Sequence, residues 1–325
     1  MEIDVQILPY LLENASEALA IADFTDAKIS KLTGGDYNFN YHVVVANQDL
    51  LVRVNIEPQS GSDTQIEYEH GTLKFLEPRG VTPKVFYLDN TRKYLPYGLL
   101  IEEFIPGTHL QFSPASMRRV ATAMARLHTT STKGAPLRRR DNPIKEQVNA
   151  VNADLARYRQ RQNPHGRLLE LAEAVIARLT KQMPQLEDLY RPTSIIHTDP
   201  NPANIIDNGQ KVFFIDWEQG RIDDPSYDIA AFFSDVLNMW ASPRILTTEE
   251  KQTFLDTYVA ITGDESIADR LKPRQLAYTL NAVLWAANRI ADVDEGKIDA
   301  NLGAQNYDRY RVMAAPVELE KVLAT

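Results

Sequence analysis

The chain of 325 residues contains no cysteine. That absence excludes disulfides, thiol nucleophiles and cysteine-ligated metals, and it predicts a reducing, cytoplasmic setting. Excess positive charge is lacking as well. Lys and Arg number 35 against 44 Asp and Glu, a net charge of −9, and no long basic run occurs. Nucleic acid and anionic membrane are therefore not expected as main partners. No stretch approaches the roughly eighteen uncharged apolar residues that span a bilayer, so no membrane anchor is expected. The opening segment, MEIDVQILPYLLENASEALA, mixes acids with apolar residues and has no basic region, unlike a secretory signal. Internal repeats and low-complexity tracts are not evident.

What is present is a chain 44% hydrophobic, enough for a large core. It is too long for one small module, and two lobes are expected. Residues 195–232 organise it: IIHTDPNPANIIDNGQKVFFIDWEQGRIDDPSYDIAAF. His197-Thr198-Asp199 is followed by Asn204, and an apolar run, residues 212–215, ends on Asp216. The first part reads as a tight polar loop and the second as a short strand delivering a carboxylate. Phosphoryl transfer from a nucleotide needs an acceptor hydroxyl oriented by a carboxylate, and metal held by an Asn oxygen and a second carboxylate. Asp199, Asn204 and Asp216 supply those groups, with His197 orienting the loop. Any one of these residues could be an ordinary turn former. Three required groups with a strand between them exceed what turn chemistry supplies.

The segment resembles the catalytic stretch of the aminoglycoside phosphotransferase and choline kinase family, small-molecule kinases of the protein-kinase-like fold. The matching features are His197-x-Asp199-x-x-x-x-Asn204, the strand ending in Asp216-Trp217-Glu218, and Pro225-Ser226-Tyr227-Asp228-Ile229-Ala230. The resemblance implies Asp199 as catalytic base, Asn204 and Asp216 as Mg2+ ligands, and Asp228 as a brace for the loop. It implies an α+β bilobal fold: a small β-rich lobe with an antiparallel sheet, residues 1–104, and a larger helical lobe, residues 105–325, joined by a hinge at about 101–107. Where the family often has Gly, this chain has Thr198, and a modest change in loop backbone is expected.

Residues 4–20 show helical apolar spacing. Gly34-Gly35 lies between two β-rich runs. The pair suits either a plain hairpin turn or amides closing on phosphate, and a nucleotide loop is itself a hairpin. Arg53 follows on the next strand, where a kinase places Lys; a surface Arg on an edge strand is the plain alternative. A helix is expected over 64–76, with Glu69 as the partner of Arg53 and Glu67 as its competitor. Residues 99–107 read as an apolar strand ending in Pro106-Gly107. By the resemblance the Glu102 carbonyl and Phe104 amide meet adenine, although a buried strand and turn fit equally well.

Further helices are expected at about 113–130, with Ser113 as cap and Pro114 first, and at 145–162, 167–190, 226–240, 248–262, 273–293 and 303–323. His128 reads as structural. There is no Asp-Phe-Gly, no Ala-Pro-Glu and no long activation segment, so a polypeptide acceptor is not expected. ATP-dependent transfer to a small-molecule hydroxyl follows. Acids (Asp223, Asp224, Asp235, Asp292, Asp294, Glu295) and aromatics (Trp240, Trp285, Tyr307, Tyr310) would suit an amine-bearing acceptor. The alternative is a silent nucleotide- or metabolite-binding protein, for which Arg53 in place of Lys is the one feature in favour.

Overall fold

Residues Gln48–Asn55 are apolar or paired on both faces, the pattern of a central strand. In the computed structural model, which describes residues 3–32, 38–56, 62, 64–242, 244–297 and 306–324, that strand sits mid-sheet. The chain divides into two compact units. The first comprises Met1–Thr108, Lys133–Leu137 and Phe213–Gly220.

Its sheet has strands β1 (Lys28–Lys31), β2 (Asn38–Val45), β3 (Gln48–Asn55), β4 (Val85–Asp89) and β5 (Gly98–Glu103), antiparallel in the order β1-β2-β3-β5-β4. Ala46 and Asn47, both with positive φ, make the two-residue turn whose twist suits the β2–β3 hairpin. One face carries Val43, Leu50, Val52, Val54, Leu99 and Ile101 against Ile7, Tyr10, Leu11 and Ala15. The N-terminal segment that covers it is not the single helix expected over 4–20. It runs as a 3-10 turn Ile3–Gln6, an α turn Ile7–Tyr10, a π turn Leu11–Ala15 and a last α turn Ser16–Leu19. Pro9 has no N–H to give the preceding turn, which explains why the early part is not regular α-helix.

The other face of the sheet carries Leu51 and Arg53 of β3 beside Leu100 and Glu102 of β5, because the register pairs Leu51 with Glu102 and Arg53 with Leu100. The helix Gln65–Leu76 packs against β4 and β5, with Leu73 and Leu76 buried and Tyr68 half-buried.

The second unit comprises His109–Thr132, Arg138–Val212 and Arg221–Thr325 and is mostly helical. Pro114–His128 begins at a capping box between Ser113 and Ser116. Pro143–Arg159 and Gly166–Leu186 pack with Ile267–Asp294 around Val151, Leu171, Val175, Leu280 and Val283. The last of these helices begins before Pro273, the expected boundary, and carries that residue inside it. The expected helix 226–240 is two, Ser226–Phe232 and Asp235–Ala241, because the Ser234 hydroxyl accepts from the Leu237 N–H and starts a new one. At the C-terminus Tyr307–Met313 and Pro316–Ala324 are separate, divided at Pro316, which lacks the N–H needed to continue. A two-stranded ladder, Ser194–Ile196 with Arg221–Asp223, frames the loop of interest. No helix among the described residues is long and apolar enough to cross a membrane.

Candidate active site

In the first unit, the register that places Arg53 beside Glu102 makes a buried charge cluster. Arg53 is 3% exposed and lies 3.2 Å from Glu69 and 2.6 Å from Asp216. Glu69, not Glu67, is the partner; Glu67 is exposed and accepts from Asn90. Nor is Arg53 a surface residue on an edge strand. Asp216 arrives on the segment Phe213–Gly220, which is tied down at four points. Phe214 N–H donates to Val81 O at 2.8 Å, and the Trp217 N–H donates to Glu69 Oε1 at 3.1 Å. Gln65 Nε2 donates to Glu218 Oε2 at 2.6 Å, and the Tyr68 hydroxyl donates to Gly220 O at 2.5 Å. Asp216 itself has φ 71°, in the left-handed region that Asp tolerates better than most side chains.

One cation among so many acids sets the electrostatics. Burial pushes the Glu102 carboxyl up, Arg53 pulls it back, and Glu69 and Asp216 push it again, leaving it at about 8. Burial, aided by Asp216 and Glu69, raises Glu218 to about 9. Arg53 goes far above its ordinary value, because three carboxylates outweigh the cost of burial. Sequence reasoning assigned Glu102 only a backbone role and missed its side chain. The signal was the alternation of β5, which puts Glu102 on the face that Arg53 occupies. The Phe104 N–H, expected to face adenine, donates to Asp49 O at 3.1 Å, and its ring stacks on His42 at 3.8 Å. That amide is engaged within the unit. Gly34 and Gly35 lie outside the described residues.

In the second unit the loop at His197 is held by Asp228. The Asp228 carboxylate is fully buried and accepts the His197 N–H on one oxygen and the Thr198 N–H on the other, each at 2.7 Å. Burial alone would raise it, but the hydrogen bond from His128 and the charges of His128 and His197 bring it below its ordinary value. His128 bridges Asp228 at 3.2 Å and the Tyr258 hydroxyl at 2.8 Å, so its part is structural. Thr198 has φ 80°. The Thr therefore occupies a backbone region that glycine enters freely and a β-branched residue does not.

From that anchored turn, His197 Nδ1 accepts the Asp199 N–H at 3.3 Å. The Asp199 carboxylate takes Asn201 Nδ2 on one oxygen at 3.1 Å and Asn204 Nδ2 on the other at 3.0 Å. A carboxylate can only accept, so Asn204 turns its nitrogen to Asp199 and its carbonyl oxygen away from it. The Asn204 amide oxygen here, and in the first unit the part-exposed Asp216 carboxylate, are each by itself a hard oxygen of the kind that Mg2+ takes. Asn201, which the motif reading passed over, is a second clamp on Asp199. It also caps the turn that carries Asn204, accepting from the Ala203 N–H at 2.8 Å.

The acids considered for an amine-bearing acceptor are all engaged. Asp223 pairs with Arg274, Asp224 with Arg270, Asp235 with Lys251, and Asp292 and Glu295 with Arg161. Asp294 accepts from the Tyr307 hydroxyl. Tyr310 is a core residue, edge-on to Trp285.

Residues 28–265 match the model of the phosphotransferase enzyme family, known as APH. The sequence matches no curated protein. Among solved structures the chain resembles the ethanolamine kinase of Plasmodium vivax, with a TM-score of 0.68 and 18% identity, covering 98% of this chain and 90% of that one. It also resembles a choline/ethanolamine kinase family protein of Mesorhizobium loti, with a TM-score of 0.65 and 15% identity over 99% and 98% of the two chains. A spectinomycin phosphotransferase in complex with ADP and spectinomycin gives a TM-score of 0.56 and 14% identity over 90% and 93%. These likenesses give the fold, the α+β kinase-like architecture expected from the sequence.

Proposed function

Because the chain belongs to the phosphotransferase enzyme family, we propose that it is a small-molecule kinase with ATP as donor and Mg2+ as cofactor. The acceptor is a hydroxyl of a small amine-bearing alcohol, of the aminoglycoside or choline/ethanolamine kind. The observation that carries the reading is the Asp199 carboxylate, clamped on both oxygens by Asn201 and Asn204. A carboxylate so fixed is an oriented proton acceptor. In this reading it takes the proton of the acceptor hydroxyl as that oxygen bonds to the γ-phosphorus and ADP departs.

Asn204 and Asp216 would hold the metal, which would supply positive charge to offset that of the donor phosphates. Arg53, fixed by Glu69, pairs the phosphates, and backbone amides near Gly34-Gly35 cover them. The hinge at about 101–107 receives adenine at the Glu102 carbonyl. The intact set of base and metal ligands supports a working enzyme over a silent binding protein.

The test is ATP consumption with magnesium against aminoglycosides, choline, ethanolamine, homoserine and simple sugars. Wild type is compared with Asp199→Asn and Asp216→Ala. Acceptor-dependent turnover that both substitutions remove supports the reading. Full transfer by Asp199→Asn would overturn it.

A further inference from the structure

The second unit contains a part-buried excess of positive charge. Arg140, Arg221 and Arg274 all face the ring of Tyr227, at 5.8, 4.3 and 5.6 Å. All three turn to one carboxylate, Asp223, at 3.6, 3.0 and 3.4 Å. The other partners of Arg274 are neutral: Gln147 Oε1, Pro143 O and Ser226 Oγ. The nearby Asp224 is taken by Arg270, which also pairs with Asp264. Three guanidinium groups thus share a single negative charge.

Their unmet hydrogen bonds have one sign. Arg140 Nη1, Arg221 Nη2 and Gln147 Nε2 are buried without a hydrogen-bond acceptor. All three are donors. Guanidinium has no acceptor atom, so what these groups call for is acceptor oxygens, of which an oxyanion carries several together with the missing negative charge. Arg140 responds to the crowding: burial first, then the charge of Arg221, lowers its pKa.

The cluster leads through two rings to Tyr278, a phenol that also feels the candidate base. Arg221 stacks on Tyr227, whose ring meets that of Tyr278 edge-on at 5.5 Å. The Tyr278 hydroxyl feels burial first and then the charge of Asp199, with Arg221 acting in the opposite sense. Asp199 and Arg221 therefore act on the same buried phenol.

We propose that Arg221 and Arg140, backed by Gln147 and Arg274, form a subsite for an oxyanion, a carboxylate or phosphate carried by the acceptor alongside its hydroxyl. Its role as an acceptor subsite rests on the phosphotransferase reading. The engagement of all six candidate acids agrees with it, because recognition then falls to a negative group rather than to an ammonium alone. Guanidinium is the suitable donor, its fork matching the two oxygens of a carboxylate or phosphate.

The test is titration calorimetry of malonate and of methyl phosphate into the full chain without nucleotide. The same titrations are made into Arg221→Gln and Arg221→Lys, with thermal melts confirming that each variant is folded. One probe is expected to saturate the wild type, and the better of the two separates carboxylate from phosphate. Both substitutions should weaken it about tenfold or more, since a charge-assisted fork is lost. Arg221→Lys guards against misfolding because it keeps the charge. Absence of saturable binding by either probe, or binding that both variants retain, overturns the subsite. Magnesium-dependent ATP turnover by the same wild-type sample tests the phosphotransferase reading separately. Turnover without oxyanion binding removes only the subsite, and binding without turnover removes only its link to catalysis.

Discussion

Arg53 and Asp216 stand 163 positions apart in sequence and 2.6 Å apart in the fold. Glu69 completes the group 3.2 Å from the same guanidinium nitrogen. A single buried cation therefore aligns a strand, a helix and the segment carrying a candidate metal ligand.

Removing that cation should cost more than a contact. Arg53→Ala leaves Glu69 uncompensated in the interior and is expected to destabilise by about 3–5 kcal/mol, as loss of one partner of a buried pair does. Arg53→Lys keeps the charge but cannot reach two carboxylates with a rigid fork. A smaller loss of stability and a KM for nucleotide raised about tenfold are expected, from urea unfolding and initial rates. Unchanged stability in Arg53→Ala would contradict the burial of the pair.

Glu102 gives the unit a pH dependence. Its carboxyl is raised to about 8 from 4.5, so the native state keeps a proton that the unfolded chain gives up. Stability from this group is full below 4.5 and is lost as pH rises through about 8. Glu102→Gln mimics the protonated form. The urea midpoint of wild type should fall between about pH 6 and pH 9, and that of the variant should fall less. Parallel declines would show that Glu102 is not the source.

The clamp by Asp228 invites a conservative test. Asp228→Asn keeps one acceptor but turns an N–H toward a backbone N–H. A loss of about 2–3 kcal/mol is expected, with a fall in turnover of about a hundredfold from misplacement of Asp199. Because the Asp228 pKa lies below 3.8, its contribution is present above that pH and is lost as pH falls further. Acid unfolding of the variant should therefore be less steep. A variant as active as wild type would refute the positioning role.

Thr198→Gly probes strain directly. A non-glycine residue at φ 80° costs about 1–3 kcal/mol, and glycine returns about 0.5–1 kcal/mol of that through a more flexible unfolded chain. A net gain near 1 kcal/mol is expected in urea midpoint and slope. Thr198→Val, equally branched, should show no gain.

The candidate loop could be picked out because its residues are local: Asp199, Asn204 and the brace Asp228 fall within thirty residues, about the span of one supersecondary unit. The helix 65–76 and the capped start at Ser113 were legible through apolar period and capping chemistry. What could not be read depends on distant pairing. Nothing near Glu102 announces that its side chain meets Arg53, because that follows from the β3–β5 register. The break at Ser234 was hidden by the apolar residues on either side of it, which continue a helical period. Arg140 lies in a basic stretch that reads as a solvated loop, and only tertiary structure brings it to Tyr227.

Asp228 grips the loop at 197–198 through two backbone amides. Every residue but proline carries an amide, so the grip itself does not choose the side chain at 198; only the cost of the positive φ does. Proline is barred twice, having no N–H and a φ fixed near −65°. A motif written with a fixed glycine at this place would pass over the chain, whereas one written in backbone angles would find it.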